Sequence, residues 1–175
     1  MVLFTPIILY SIYFFYVTRQ QQYKIKDILS NMDETTKQKF QESNSSLIVQ
    51  MSFNRVNGWC KLKAIYTIIH FCFNFWSIAY AVLGLGFDNS IVDLYIKLCA
   101  VISILTLSLN LFLKSEKKWM AFKRVWAEGS VITNKYISQM SSDYNITIAE
   151  ISQNSILYSE DILKIENSLN GDDII

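Results

Sequence analysis

Within residues 64–87, a stretch without a formal charge, stand the chain's only histidine, His70, and an asparagine, Asn74. An imidazole can carry or relay a proton, and an amide can donate and accept hydrogen bonds at once. Neither is alone. Thr67, His70, Asn74, Ser77, Ala81 and Gly84 follow at spacings of three and four, which puts them on one face of a helix. A second apolar run repeats the device with Cys99, Ser103, Thr106 and Asn110. In an antiparallel pair of helices, residues at one depth have a nearly constant sum of numbers. Thr67 with Asn110 and Asn74 with Ser103 add to 177; His70 with Thr106 and Ser77 with Cys99 add to 176. Two chemistries suit such matched stripes. They form a close-packed seam held by interhelical hydrogen bonds, or they line a watery path when several copies assemble.

Other chemistry is not signalled. There is no GxGxxG or Walker-type loop, no HExxH and no EF-hand loop. A Ser-His-Asp or Cys-His site would have no soluble base, because the one histidine lies in the apolar run. The three cysteines, Cys60, Cys72 and Cys99, form no CxxC pair, so neither a zinc site nor a disulfide framework is expected. Sixteen basic against 15 acidic residues, a net charge of +1, exert no global pull on nucleic acid. No enzyme activity, cofactor or metal is expected.

The elements that must hold the stripes look membranous. Hydrophobic residues make up 51% of the chain and fall in long blocks, with five glycines and one proline. Residues 64–87 are long enough to cross the roughly 30 Å of a bilayer core, which takes about 20 apolar residues. Residues 98–113 are short, but reach the needed length when extended back to Ile91, with Asp93 and Lys97 in the outer turns. The link GFDNS (86–90) is a tight turn, so the two helices form an antiparallel hairpin. Arg55, Lys61 and Lys63 before it, and Lys114, Lys117, Lys118, Lys123 and Arg124 after it, place both ends in the cytosol of an inner (cytoplasmic) membrane. Trp59, Tyr66, Tyr95 and Trp119 stand near the expected interfaces. Residues 1–17 carry no charged side chain and read as a third span or as a peripheral segment. A cleaved signal peptide fits them poorly.

The expected architecture is an all-α membrane protein: 1–17 hydrophobic, 18–57 a cytosolic helical lead-in, 58–142 the hairpin with its second helix extended into the cytosol, and 143–175 a tail. The extension has an aromatic stripe (Trp119, Phe122, Trp126) and a basic surface, Lys114–Arg124, suited to packing on the lead-in and to anionic lipid. In the tail, Ile148, Ile151, Tyr158, Ile162, Ile165 and Leu169 fall on a seam of alternating three and four spacing. It is either a coiled-coil assembly seam or one helix folding back on its neighbour.

An Arg- and Trp-bearing lead-in (NRVNGWCKLKAIYTIIHF), a tight two-helix hairpin and a basic helix (KKWMAFKRVWAEGSVITNKYIS) together resemble the SLATT family of prokaryotic two-transmembrane effectors, over about residues 53–144. Arg55, Trp59, Lys63, Trp126, Glu128 and Tyr136 are the residues that carry it. The resemblance implies a homo-oligomer that perturbs the inner membrane in an anti-phage response, as a pore or disruptor. A nucleotide signal or a sensor protein would trigger it. The chain departs from the pattern in its hydrophobic N-terminus and in carrying no fused sensor domain. The alternative is a non-conducting membrane anchor whose cytosolic helices dock a soluble partner.

Overall fold

A computed structural model describes the backbone of residues 5–85, 92–142 and 146–171, and side chains at 11–72 (except 13 and 17), 74, 75, 78, 79, 97, 98, 100–142 and 146–169. Among these, regular structure is entirely α-helical: α1 (Thr5–Gln20), α2 (Ile25–Leu29), α3 (Glu34–Glu42), α4 (Ser45–Leu85), α5 (Val92–Phe112), α6 (Ser115–Ser142) and α7 (Ile148–Gly171). The turn GFDNS lies outside the described residues.

Helix boundaries follow local chemistry. The Asp33 carboxylate accepts from the backbone N–H of Thr35 and Thr36 at 3.1 and 3.3 Å and so caps α3. Hydrogen bonds to the Thr35 and Thr36 hydroxyls and N–H groups hold that carboxyl down at about 2. Thr147 and Glu150 form a reciprocal capping box at the start of α7, with bonds of 2.8 and 3.2 Å. The signature T-x-x-E is legible in the sequence. Gly58 does not interrupt α4, so residues 45–57 of the lead-in continue into the first apolar helix, while the rest of the lead-in forms the end of α1, α2 and α3.

The expected continuous second helix is broken. α5 ends at Phe112 and α6 starts at Ser115, with Lys114 at φ 47° between them. A left-handed conformation costs a side-chain-bearing residue roughly 1–2 kcal/mol, so tertiary contacts must hold it.

The chain divides into two compact units: unit 1 is Met1–Phe15 with Lys63–Met120, and unit 2 is Tyr16–Leu62 with Ala121–Ile175. Unit 2 has an ordinary core. Phe40, Phe53, Ile151 and Ile162 are wholly buried there, with Val49, Val56, Val125 and Met140 around them. The Phe53 and Tyr158 rings meet edge to face at 6.1 Å, joining α4 to α7. Gly129 of α6 lets Trp59 of α4 approach: a Cβ there would lie 2.9 Å from the indole. An Arg55–Glu166 ion pair ties α4 to α7 as well.

The tail seam is closed inside this unit. Ile151, Tyr158, Ile162, Ile165 and Leu169 are buried within the chain, and only Ile148 of the six is exposed. They fill the fold-back core and are not offered to a second copy. Apolar faces on α3, α4 and α6 of the same chain present themselves at a far higher effective concentration than another molecule does. The off-seam residues Ile156, Leu157 and Leu163 are the exposed ones.

Unit 1 is built the other way round. The half-buried side chains of α5 are Ile102, Ser103, Thr106 and Asn110; its other described residues are exposed. Among those, Ile104 is 64%, Leu111 72% and Phe112 82% exposed. In the part of α4 that belongs here, Ala64 and Thr67 are buried while Ile65, Phe71, Phe75 and Ile78 are exposed. Among the described residues no helix is long and apolar enough to cross a membrane. The two expected spans, 64–87 and 91–113, both run through residues outside the description, as does the start of the 1–17 segment.

Candidate functional site: a hydrogen-bonded ring at a helix break

The polar stripes of α4 and α5 meet next to the break. Asn110 Nδ2 donates to Asn74 Oδ1 at 3.2 Å. Asn74 Nδ2 lies 3.1 Å from His70 Nε2 and 3.4 Å from Nδ1. His70 Nδ1 is 3.5 Å from Ser115 Oγ, and the Ser115 hydroxyl donates to Asn110 Oδ1. The four side chains close a ring. With both amides in this orientation the donors and acceptors match: Asn74 donates to Nε2, Nδ1–H donates to Ser115, Ser115 to Asn110, and Asn110 to Asn74. That assigns the neutral Nδ1–H tautomer to His70.

Trp119 closes the ring from α6. Its indole stacks on the His70 imidazole at 5.6 Å and 12°, and Phe71 meets both rings at steep angles. Lys118, two helical positions past Glu116, places Nζ 5.6 Å from the Tyr66 ring centroid. Trp119 and Tyr66, expected as interface aromatics, thus pack against named partners within unit 1.

The register differs from the equal-depth rule. Asn110 meets Asn74, where the sums of residue numbers paired it with Thr67, and His70 meets Ser115, where they paired it with Thr106. Side chains on each helix lean toward that helix's N-terminus. In an antiparallel pair this brings together tips whose Cα atoms are offset by about two residues, which accounts for part of the difference. Thr67 and Thr106 turn their hydroxyls to their own helices, at Lys63 O (2.6 Å), and at Ile102 O (3.0 Å) and Ser103 O (2.9 Å). The Ser77 and Cys99 side chains lie outside the description. Ser115 escaped the sequence reading because its spacing from Asn110 becomes meaningful only once the helix breaks at Lys114.

Ser115 and His70 do not make a nucleophile–base pair. The serine proton is committed to Asn110 and not to the imidazole, and Ser115 is 1% exposed. Among the described residues no three of His, Cys, Asp or Glu come together to hold a metal ion. What the ring can do is satisfy four polar groups in an apolar setting and hold α4, α5 and α6 in one geometry.

Of the basic residues expected at a membrane surface, Lys114, Lys117, Lys123 and Arg124 are exposed and Lys118 is half-buried against Tyr66. Among the residues carrying the family resemblance, Arg55, Trp59 and Tyr136 have structural partners in unit 2. The Tyr136 ring stacks on Tyr158 at 4.6 Å, and its hydroxyl is 2.8 Å from Ser155 Oγ. Comparison with family models, with characterised proteins and with solved structures gives no match to this chain.

Proposed function

We propose that the protein is a membrane effector: unit 1 sits in the cytoplasmic membrane, unit 2 lies in the cytosol, and several copies together open a polar path through the lipid. One observation carries this reading. Among the described residues the fully buried side chains of unit 1 are Ala64, Thr67 and Ser115, all small or polar, while large apolar ones such as Phe71, Phe75, Ile78, Ile104, Leu111 and Phe112 are exposed. In water that arrangement forfeits the hydrophobic effect; in lipid it is the stable one. Contiguous exposed apolar surface of this kind marks a membrane or protein contact. The trigger, a nucleotide signal or a sensor protein, and the anti-phage role rest on the resemblance to SLATT effectors. The closed ring is then the resting state, and opening exchanges its internal hydrogen bonds for bonds to water.

A second reading has its own support. The four ring side chains satisfy one another, as the closed seam of a non-conducting anchor would. Expression with a membrane-potential dye separates the two. Depolarisation by the wild type, lost in Asn74→Leu and Ser103→Leu with assembly retained, is the expected result. Polarised cells under all conditions, with the chain in the membrane fraction, would leave the anchor. A chain released from membranes by alkaline carbonate would sink both.

A further inference from the structure

The break between α5 and α6 does more than close the ring. A cleft of about 160 Å³ opens there, lined by Asn110, Leu111, Lys114, Ser115, Glu116 and Lys117. On one side of it the chain is apolar and outward, with Leu111 72% and Phe112 82% exposed. On the other, Lys114 and Lys117 are exposed within one helical turn. Lys114 holds φ 47°, a conformation glycine would adopt without cost, yet the position carries a charged side chain. An unbroken helix would carry no such recess at the point where apolar surface gives way to basic surface.

We infer that this cleft docks the headgroup of an anionic phospholipid, with its phosphate between Lys114 and Lys117 and its acyl chains along Leu111 and Phe112. The inference rests on the membrane reading above and names the lipid partner of the same site. Ligand and cleft match in three respects. The cleft has room for on the order of five waters, enough for a phosphate and a short polyol but not for an acyl chain. Two ammonium groups suit a phosphate oxygen set, while the exposed leucine and phenylalanine have no use for a free, soluble phosphate. Glu116 on the lining adds repulsion against a doubly charged phosphate and offers an acceptor to a headgroup hydroxyl. A singly charged phosphodiester with a hydroxylated headgroup, of the phosphatidylglycerol type, is therefore the preferred occupant. Asn110 and Ser115 belong both to the cleft and to the ring, so lipid occupancy bears directly on the ring that closes the hairpin.

The test uses the full chain reconstituted into nanodiscs of phosphatidylcholine with and without phosphatidylglycerol, with native mass spectrometry reading the lipids that stay bound. The wild type is expected to retain phosphatidylglycerol selectively. Lys114→Gln with Lys117→Gln should cut that preference roughly twenty-five-fold, at about a fivefold loss per lysine. Lys114→Arg, which keeps the charge, and Lys135→Gln, which lies outside the cleft, should both retain it. Unchanged circular dichroism shows that the double variant folds; should it not, Lys117→Gln alone must still reduce the preference. Equal preference in wild type and variant overturns the site. So does displacement of the lipid by millimolar inorganic phosphate, which would mark a site for soluble anions. A chain that enters no nanodisc overturns the membrane reading together with this one.

Discussion

Phe53 and Phe112 are the same residue type in helices of the same chain, yet one is fully buried and the other 82% exposed. The same contrast recurs at other positions, although unit 2 also exposes Leu47, Met51 and Val131. Unit 2 hides Phe40, Val49, Ile151 and Ile162 and turns polar residues outward. Unit 1 hides Ala64, Thr67 and Ser115 and turns Ile104, Leu105, Leu111 and Phe112 outward. Specificity is therefore built differently in each. Unit 2 is specified by shape, as where Trp59 fills the space left by Gly129. On the membrane reading proposed above, unit 1 would be specified by hydrogen-bond matching, because small residues and polar pairs set the packing where the surroundings are as apolar as the side chains.

The comparison can be broken by paired substitutions. Phe53→Ala should destabilise unit 2 by about 3–5 kcal/mol, as the loss of a buried ring does, while Phe112→Ala leaves the stability of the folded chain nearly unchanged. Thermal unfolding of each variant in detergent micelles, followed by circular dichroism, reads both. Equal losses would mean that the two surroundings do not differ. Next in size is Gly129→Ala. The added methyl group meets the Trp59 indole, and overpacking of this kind costs about 1–3 kcal/mol. Gly58→Ala has nothing within 4 Å of the new Cβ and should stabilise α4 by about 0.5–1 kcal/mol. Chemical denaturation gives both signs, and a loss at Gly58 would show that α4 is not free along that face.

A third test uses alkali. Burial pushes the Tyr136 hydroxyl up to about 12, against a smaller opposing effect from its Ser155 bond. Burial also raises Tyr158, with the Thr133 bond opposing. Both phenols bind their protons more tightly folded than unfolded. Their contribution to stability is thus complete below pH 10 and is lost as pH rises through about 12. Phenolate absorbance should show a late-titrating pair that disappears on unfolding. Tyr136→Phe should remove part of it at a cost of about 1 kcal/mol. The smallest effect is expected in unit 1. A double-mutant cycle of Asn74→Leu with Asn110→Leu should give a coupling of about 0.6 kcal/mol, the average for interhelical hydrogen bonds in lipid. A coupling near zero in nanodiscs would mean that the ring does not stabilise the hairpin.

Much of this was legible in the residues. Spacing alone put Thr67, His70, Asn74 and Ser77 on one face, and Ser103, Thr106 and Asn110 on another. The seam of Ile151, Tyr158, Ile162, Ile165 and Leu169 was also periodic enough to read, though periodicity cannot say whose surface will fill it. The contact between Asn74 and Asn110 was not legible, because it depends in part on the lean of side chains toward helix N-termini. Ser115 was hidden for a related reason. It reaches the ring only because Lys114 turns left-handed, and no rule of helix propensity favours that turn at a lysine.

By itself, then, the sequence determined the helical class, the segregation of apolar and polar blocks, and which faces carry polar groups, since these follow from composition and a 3.6-residue period. Tertiary structure alone decided which polar groups meet, that the tail seam closes within its own chain, and that the second helix breaks at Lys114. Such pairings depend on offsets of a few ångström between elements, and those are set by packing and not by the pattern along any one helix.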